Sequence, residues 1–169
     1  FTIINEYDSK LLERIESIKF SDIDNEFLKK YGHHPLLTQG KLDLTGTKIT
    51  SLEGLPDTIN GGLSVGFTQI TTLEGLPHTI NGDLDISENQ ITSLQGLPPT
   101  INGNLDIGHT QITSLEELPP TIHGGISLLA TQITSLKGLP PTINGNLDIS
   151  RTQITNLEGL PGTIRGNLS

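Results

Sequence analysis

The chain has 169 residues, enough for one domain of ordinary size, but only 33% are hydrophobic and 4% aromatic, too little for one large core. The formal charge is −9, with 12 acids against 5 bases from residue 41 onward. That balance argues against nucleic acid and anionic membranes as partners, because phosphate binding needs a basic face. Cysteine is absent, so disulfide, thiolate-metal and thioester chemistry are excluded, and no apolar run approaches the ~20 residues of a membrane span.

Residues 1–39 carry no repeat. Leu11, Leu12, Ile15 and Ile18 recur at helical spacing, which predicts an amphipathic helix over Ser9–Lys19. Ser21 and Asp22 are candidate caps for a second helix holding Ile23, Phe27 and Leu28, with Gly32 stopping it. Two short helices ahead of a repeat array read as a cap on its first edge; a partner-binding or export segment is the alternative. His33-His34 before Pro35 make a poor metal site by themselves.

From Gly40 to the end at Ser169 one unit of 21 residues recurs without insertion or deletion, as 40–60, 61–81, 82–102, 103–123, 124–144 and 145–165, followed by a stub over 166–169. Ile49, Ile70, Ile91, Ile112, Ile133 and Ile154 hold one column, and Leu52, Leu73, Leu94, Leu115, Leu136 and Leu157 a second. A fixed period of this length marks a solenoid, in which each unit buries its apolar side against its neighbours. Asp83-Leu84-Asp85-Ile86-Ser87 alternates apolar and polar, so each unit should contribute one short strand to a parallel sheet. The return path, such as Gly96-Leu97-Pro98-Pro99-Thr100-Ile101, cannot be a regular helix, since Pro-Pro removes two donors and favours extended backbone. The expected fold is therefore a repeat solenoid with a parallel β-sheet on its concave side, an extended convex side and a helical N-terminal cap.

Two glycine columns punctuate the units. Gly61 and its equivalents before each strand read as a turn needing positive φ or close backbone approach. The other column, Gly54, Gly75, Gly96, Gly138 and Gly159, is Glu117 in one unit, so it reads as tolerating a side chain.

Surface columns are where function should lie, because stacking uses up the core columns. Asp43, Ser64, Asp85, Asp106, Ser127 and Asp148 face outward along the strands. Calcium takes oxygen ligands, but loops with Gly and Asp at short spacing are lacking, so the column reads as an acidic face suited to a basic protein or peptide rather than a metal site. Two further columns diverge where the scaffold stays constant: Thr45, Gly66, Ser87, Gly108, Leu129, Ser150, and Gly46, Phe67, Glu88, His109, Ala130, Arg151. Phe67 and Leu129 are apolar at positions expected to be exposed. Phe67, Glu88, His109, Leu129 and Arg151, with Asp85, Asp106 and Asp148, are thus the candidate partner-binding ridge. Lys48 followed by Gln69, Gln90, Gln111, Gln132 and Gln153 reads as a structural side-chain amide ladder. No nucleophile elbow, phosphate loop or convergent His/Asp/Ser set is present, so no catalytic residue, cofactor or metal is assigned and the chain reads as a non-enzyme.

Leu84-Asp85-Ile86-Ser87-Glu88-Asn89-Gln90-Ile91 resembles the leucine-rich repeat pattern Leu-x-Leu-x-x-Asn-x-Leu. Only Asn89 keeps the family's asparagine; Thr47, Thr68, Thr110, Thr131 and Thr152 stand elsewhere, and a hydroxyl offers less than an amide, so a thinner ladder is expected. Ile80 and its equivalents sit four residues before the strand leucine, where the family has three. Leu55-Pro56 through Leu160-Pro161 is similar to the short repeats of secreted bacterial effectors, and Ser51 to Pro56 to repeats of phage and giant-virus proteins. The resemblance implies binding of another protein on the concave face; the alternatives are the substrate-recognition part of a larger enzyme, such as an effector ubiquitin ligase, and a structural repeat without specific ligand. An effector would act in a host cytoplasm after secretion. The stub at Gly166–Ser169 suggests an open edge, and hence end-to-end self-association.

Overall fold

The computed structural model describes residues 23–32 and 34–169. The helix expected over Ser9–Lys19 lies outside the described residues. Helix α1 spans Asn25–Tyr31, and its cap is Asp24, whose carboxylate accepts the Phe27 N–H at 3.0 Å. The cap therefore falls two residues beyond Asp22, and Ile23 precedes the helix. Gly32 closes α1 by donating to the Leu28 carbonyl at 2.7 Å; a Cβ there would run into the Gly54 carbonyl. A single helical turn, α2, follows over Pro35–Thr38.

These segments stand where a preceding unit would. The Ile23 carbonyl accepts the Lys48 N–H at 3.2 Å and the Thr38 carbonyl accepts the Asn60 N–H at 3.1 Å. The Asn25 side chain donates to Ser51 O and accepts the Thr50 N–H, both at 2.8 Å. Phe27 and Leu28 are buried against the first repeat.

Each repeat then contributes two strands of two residues. The strand at the start of each unit is β1 (Leu42–Asp43), β3 (Leu63–Ser64), β5 (Leu84–Asp85), β7 (Leu105–Asp106), β9 (Ile126–Ser127) or β11 (Leu147–Asp148). These six form one parallel sheet in strict 21-residue register, for example Leu84↔Leu105 and Asp85↔Asp106. Ladder bonding continues past the two-residue strands: Leu84, Ile86 and Glu88 donate in turn to Asn104, Asp106 and Gly108 of the next unit at 2.8–2.9 Å. The strand near the end of each unit is β2 (Thr58–Ile59), β4 (Thr79–Ile80), β6 (Thr100–Ile101), β8 (Thr121–Ile122), β10 (Thr142–Ile143) or β12 (Thr163–Ile164). They pair as β2–β4, β6–β8 and β10–β12. The return path is thus extended, as Pro-Pro requires. The whole is a parallel-strand solenoid of about six turns with very little helix.

The core is the set of repeated columns. Ile49, Ile70, Ile91, Ile112 and Ile133 are all 0% exposed, and Leu52 through Leu136 at most 1%. Burying one such side chain is worth roughly 1.5–3 kcal/mol, and the columns spread that burial evenly over the units in place of a single aromatic-rich centre.

The glycine columns sort differently from the sequence expectation. Before each strand from Gly61 onward, the need is close approach rather than positive φ: a Cβ on Gly82 would lie 2.7 Å from Gly62 N of the unit before, whereas Gly40, with no unit before it, has open space. The other column does require positive φ, from 86° at Gly75 to 104° at Gly138. It forms the third position of a turn closed by bonds such as Leu76 N–H to Leu73 O at 3.0 Å, where a type II turn favours glycine. Glu117 keeps the turn bond, Leu118 N–H to Leu115 O at 3.0 Å, without positive φ. That suits a type I turn, which takes most residues. The position accommodates a side chain only by changing its turn.

Candidate binding face at the strand ends

Where each strand of the six-stranded sheet ends, side chains build a corner. The aspartate of the strand bends its carboxylate onto the N–H two residues ahead: Asp43 to Thr45 and Asp85 to Ser87 at 3.0 Å, Asp106 to Gly108 and Asp148 to Ser150 at 2.9 Å. The following residue turns into the left-handed region, at φ 71° for Gly46, 54° for Phe67, 55° for Glu88 and His109, 57° for Ala130 and 58° for Arg151. For a residue with a Cβ this conformation costs about 1–2 kcal/mol.

The surrounding bonds hold it there. The corner N–H donates to the next unit, as in Glu88 to Gly108 O at 2.9 Å and His109 to Leu129 O at 2.7 Å. One residue on, a buried hydroxyl closes the bend onto a carbonyl three residues back: Thr47 to Leu44 at 2.7 Å, Thr110 to Ile107 and Thr131 to Leu128 at 2.8 Å. These threonines serve their own unit. Asn89, 3% exposed, works between units: its amide donates to Val65 O of the preceding unit at 2.8 Å, and its oxygen accepts Thr68 Oγ1 at 2.9 Å. The asparagine ladder is as thin as the single asparagine suggests.

The corner row that results is Phe67, Glu88, His109, Ala130 and Arg151. Phe67 is 63% exposed, the most exposed large apolar side chain among the described residues. Glu88 and His109 approach to 3.7 Å, an ion pair when the imidazole is protonated. Leu129 departs from the expectation of full exposure: it lies one residue before the corner, in the Thr45 column, and is half-buried, so Ala130 of the Phe67 column stands in the row and Leu129 does not. Asp85, Asp106 and Asp148 are also half-buried, each with one oxygen committed to its turn. The Asp43 carboxyl is held below its ordinary pKa by the Thr45 side-chain hydrogen bond first, then by the Thr45 N–H and nearby Lys41, with partial burial opposing.

The glutamine column forms no side-chain ladder. The five side chains are exposed, and no side-chain hydrogen bond joins them among the described residues. Their backbones form the rungs instead: Gln69, Gln111, Gln132 and Gln153 each donate their N–H to the isoleucine carbonyl of the unit before at 3.0–3.1 Å.

A ladder that the sequence reading missed lies at the strand starts. Asp83 Oδ1 accepts from Asn104 N–H at 2.7 Å, Asn104 Oδ1 from Gly125 N–H at 2.6 Å, and Asn146 Oδ1 from Asn167 N–H at 2.8 Å. Its signal in the sequence is the recurring Asn or Asp after the pre-strand glycine, at Asp83, Asn104, Asn146 and Asn167. Among the described residues no group of three or more His, Asp or Glu side chains is placed to hold a metal ion.

Comparison with protein-family models, with curated proteins and with solved structures found no match.

Proposed function

We propose that this chain is a protein-binding module of leucine-rich repeat type, which recognises a protein or peptide segment on the face of its six-stranded sheet. The observation that carries the reading is the corner row. Five successive units put a side chain where glycine is the easiest residue and where the first unit uses Gly46. Those five side chains are Phe, Glu, His, Ala and Arg, while the core columns beneath them scarcely change. Interface energy concentrates in a few large side chains, aromatic ones above all, and Phe67 at 63% exposure is such an anchor.

The family assignment is supported by Leu84, Ile86 and Ile91, all 0% exposed, around the buried Asn89 that serves backbone carbonyls. Net acidity of the face favours a basic segment as partner. Chemistry is no part of this reading: the aspartates of the face each commit an oxygen to a turn. The test is affinity capture with the wild-type chain, with Phe67→Ala and with Lys137→Ala on a different surface. A partner lost with Phe67→Ala and kept with Lys137→Ala supports the reading; one kept by Phe67→Ala and lost on changing the other surface overturns it.

A further inference from the structure

Two strands of the sheet lack bulk at the same two outward positions. Strand β3 and the residue before it put Gly62 and Ser64 between the larger side chains of the neighbouring units, and β9 and the residue before it put Gly125 and Ser127 there. In β3 the gap is closed from within. The Ser64 hydroxyl lies 2.8 Å from Thr45 Oγ1 and donates to Asp85 Oδ2 at 2.8 Å, and Ser64 is only 2% exposed. In β9 the same gap stays open. Gly108 stands where Thr45 would reach across, and Ser127 is half-buried with no hydrogen bond from its hydroxyl among the described residues. A recess of about 280 Å³ results, lined by Asn104, Asp106, Gly125, Ser127, Asn146 and Asp148.

We propose that this recess is a subsite for an arginine side chain carried by an extended basic segment of a protein partner. Asp106 and Asp148 flank it from either side of Ser127. Each carboxylate has one oxygen fixed by its turn, on Gly108 N–H and Ser150 N–H at 2.9 Å, and its other oxygen has no hydrogen bond or ion pair within the described residues. Two negative charges thus face one opening, and no cation among the described residues pairs with either. Two strand spacings set them ~9.6 Å apart at the backbone. A planar guanidinium presents donors on both edges, so charge-assisted bonds of ~2.8 Å can go to both carboxylates as each side chain leans toward the recess between them. A lysine ammonium, a compact point charge, reaches one carboxylate at a time. The Asn146 side chain, whose oxygen takes Asn167 N–H at 2.8 Å, adds an amide at the rim.

The inference rests on the face being a protein-binding surface, yet the two fail separately. The experiment is a titration of the isotopically labelled chain with acetyl-arginine-methylamide, followed by amide chemical shifts, against the isosteric uncharged acetyl-citrulline-methylamide. Expected are saturating shifts centred on Gly125, Ser127 and Asp148, with citrulline at least tenfold weaker. Asp148→Asn keeps an oxygen for the Ser150 N–H, so the turn survives while affinity falls at least tenfold. Ser127→Leu fills the recess and abolishes the shifts. Phe67→Ala leaves the titration unchanged. Absent shifts, equal binding of citrulline, or a Ser127→Leu chain that titrates like wild type overturns the subsite; if Phe67-dependent capture of a partner persists, the subsite alone is overturned.

Discussion

Replacing Gly75 by alanine tests the turn that joins sheet to return path. Gly75 sits at φ 86°, and an added Cβ would lie 2.9 Å from Glu53 N and Leu52 C of the preceding unit. Placing alanine in left-handed backbone costs about 1–2 kcal/mol. The crowding falls on backbone atoms that cannot rotate away, which adds strain of order 1–2 kcal/mol, while the stiffer unfolded chain returns about 0.4–1 kcal/mol. The net expected loss is about 2 kcal/mol, or ~4–8 °C in the thermal midpoint for a chain of this size. The comparator is Glu117→Ala at the equivalent place. Its turn already accepts a side chain, and the substitution removes only the exposed carboxylate bonds to Ser93 Oγ at 2.6 Å and Leu94 N–H at 2.8 Å. About 1 kcal/mol or less is expected there. Urea unfolding followed by circular dichroism measures both. A Gly75→Ala chain as stable as wild type, or no less stable than Glu117→Ala, would refute the assignment of two turn types.

Three further outcomes follow from the same geometry. Asn89→Ala leaves the Ile86 carbonyl without its donor, while the Val65 carbonyl keeps Thr68 Oγ1 at 2.9 Å, and should cost about 1–3 kcal/mol; Asn89→Thr, the residue other units use, should cost less than half as much in the same unfolding assay. The Glu117 carboxyl is held below its ordinary pKa, chiefly by the Ser93 hydroxyl. Its contribution is therefore full above the ordinary carboxyl value and is lost as pH falls through the lowered one; Glu117→Gln should flatten that part of the stability–pH curve, read from denaturation midpoints between neutral and strongly acid pH. Leu136→Ala, at 0% exposure, should cost about 2–5 kcal/mol, whereas Leu157→Ala in the same column, 58% exposed, should cost less than about 1 kcal/mol by thermal unfolding.

The solenoid was legible because its cause is periodic. Ile49 to Ile154 and Leu52 to Leu157 repeat every 21 residues, and only stacking buries such columns. Pro98-Pro99 told equally plainly that the return path is extended. Less legible were features that depend on which backbone neighbour is close. Gly75 and Glu117 share a column, yet turn type, invisible in composition, decides what each tolerates. The glutamines repeat like a ladder, but their backbones make the rungs and their side chains stay in solvent. At the candidate face the divergent columns were visible in the sequence, and Phe67 is as exposed as its position suggested. What could not be read was how far Leu129, which belongs to the Thr45 column one residue before the corner, is withdrawn from solvent: it is half-buried, so Ala130 and not Leu129 stands in the exposed row. The open recess at Ser127 was hidden too, since it depends on the absence of a partner such as Thr45 makes for Ser64.

The binding face exists only if the units stack in 21-residue register, one strand spacing apart. Because the chain has no cysteine of its own, spin labels can be placed singly at the exposed Lys48→Cys and Gln153→Cys, five units apart in one column. A pulsed electron-paramagnetic distance measurement should then give one narrow distribution near ~24 Å, five spacings of about 4.8 Å, broadened only by the reach of the labels. A broad distribution, or a distance beyond about twice that spacing sum, would contradict the stack and with it the binding face.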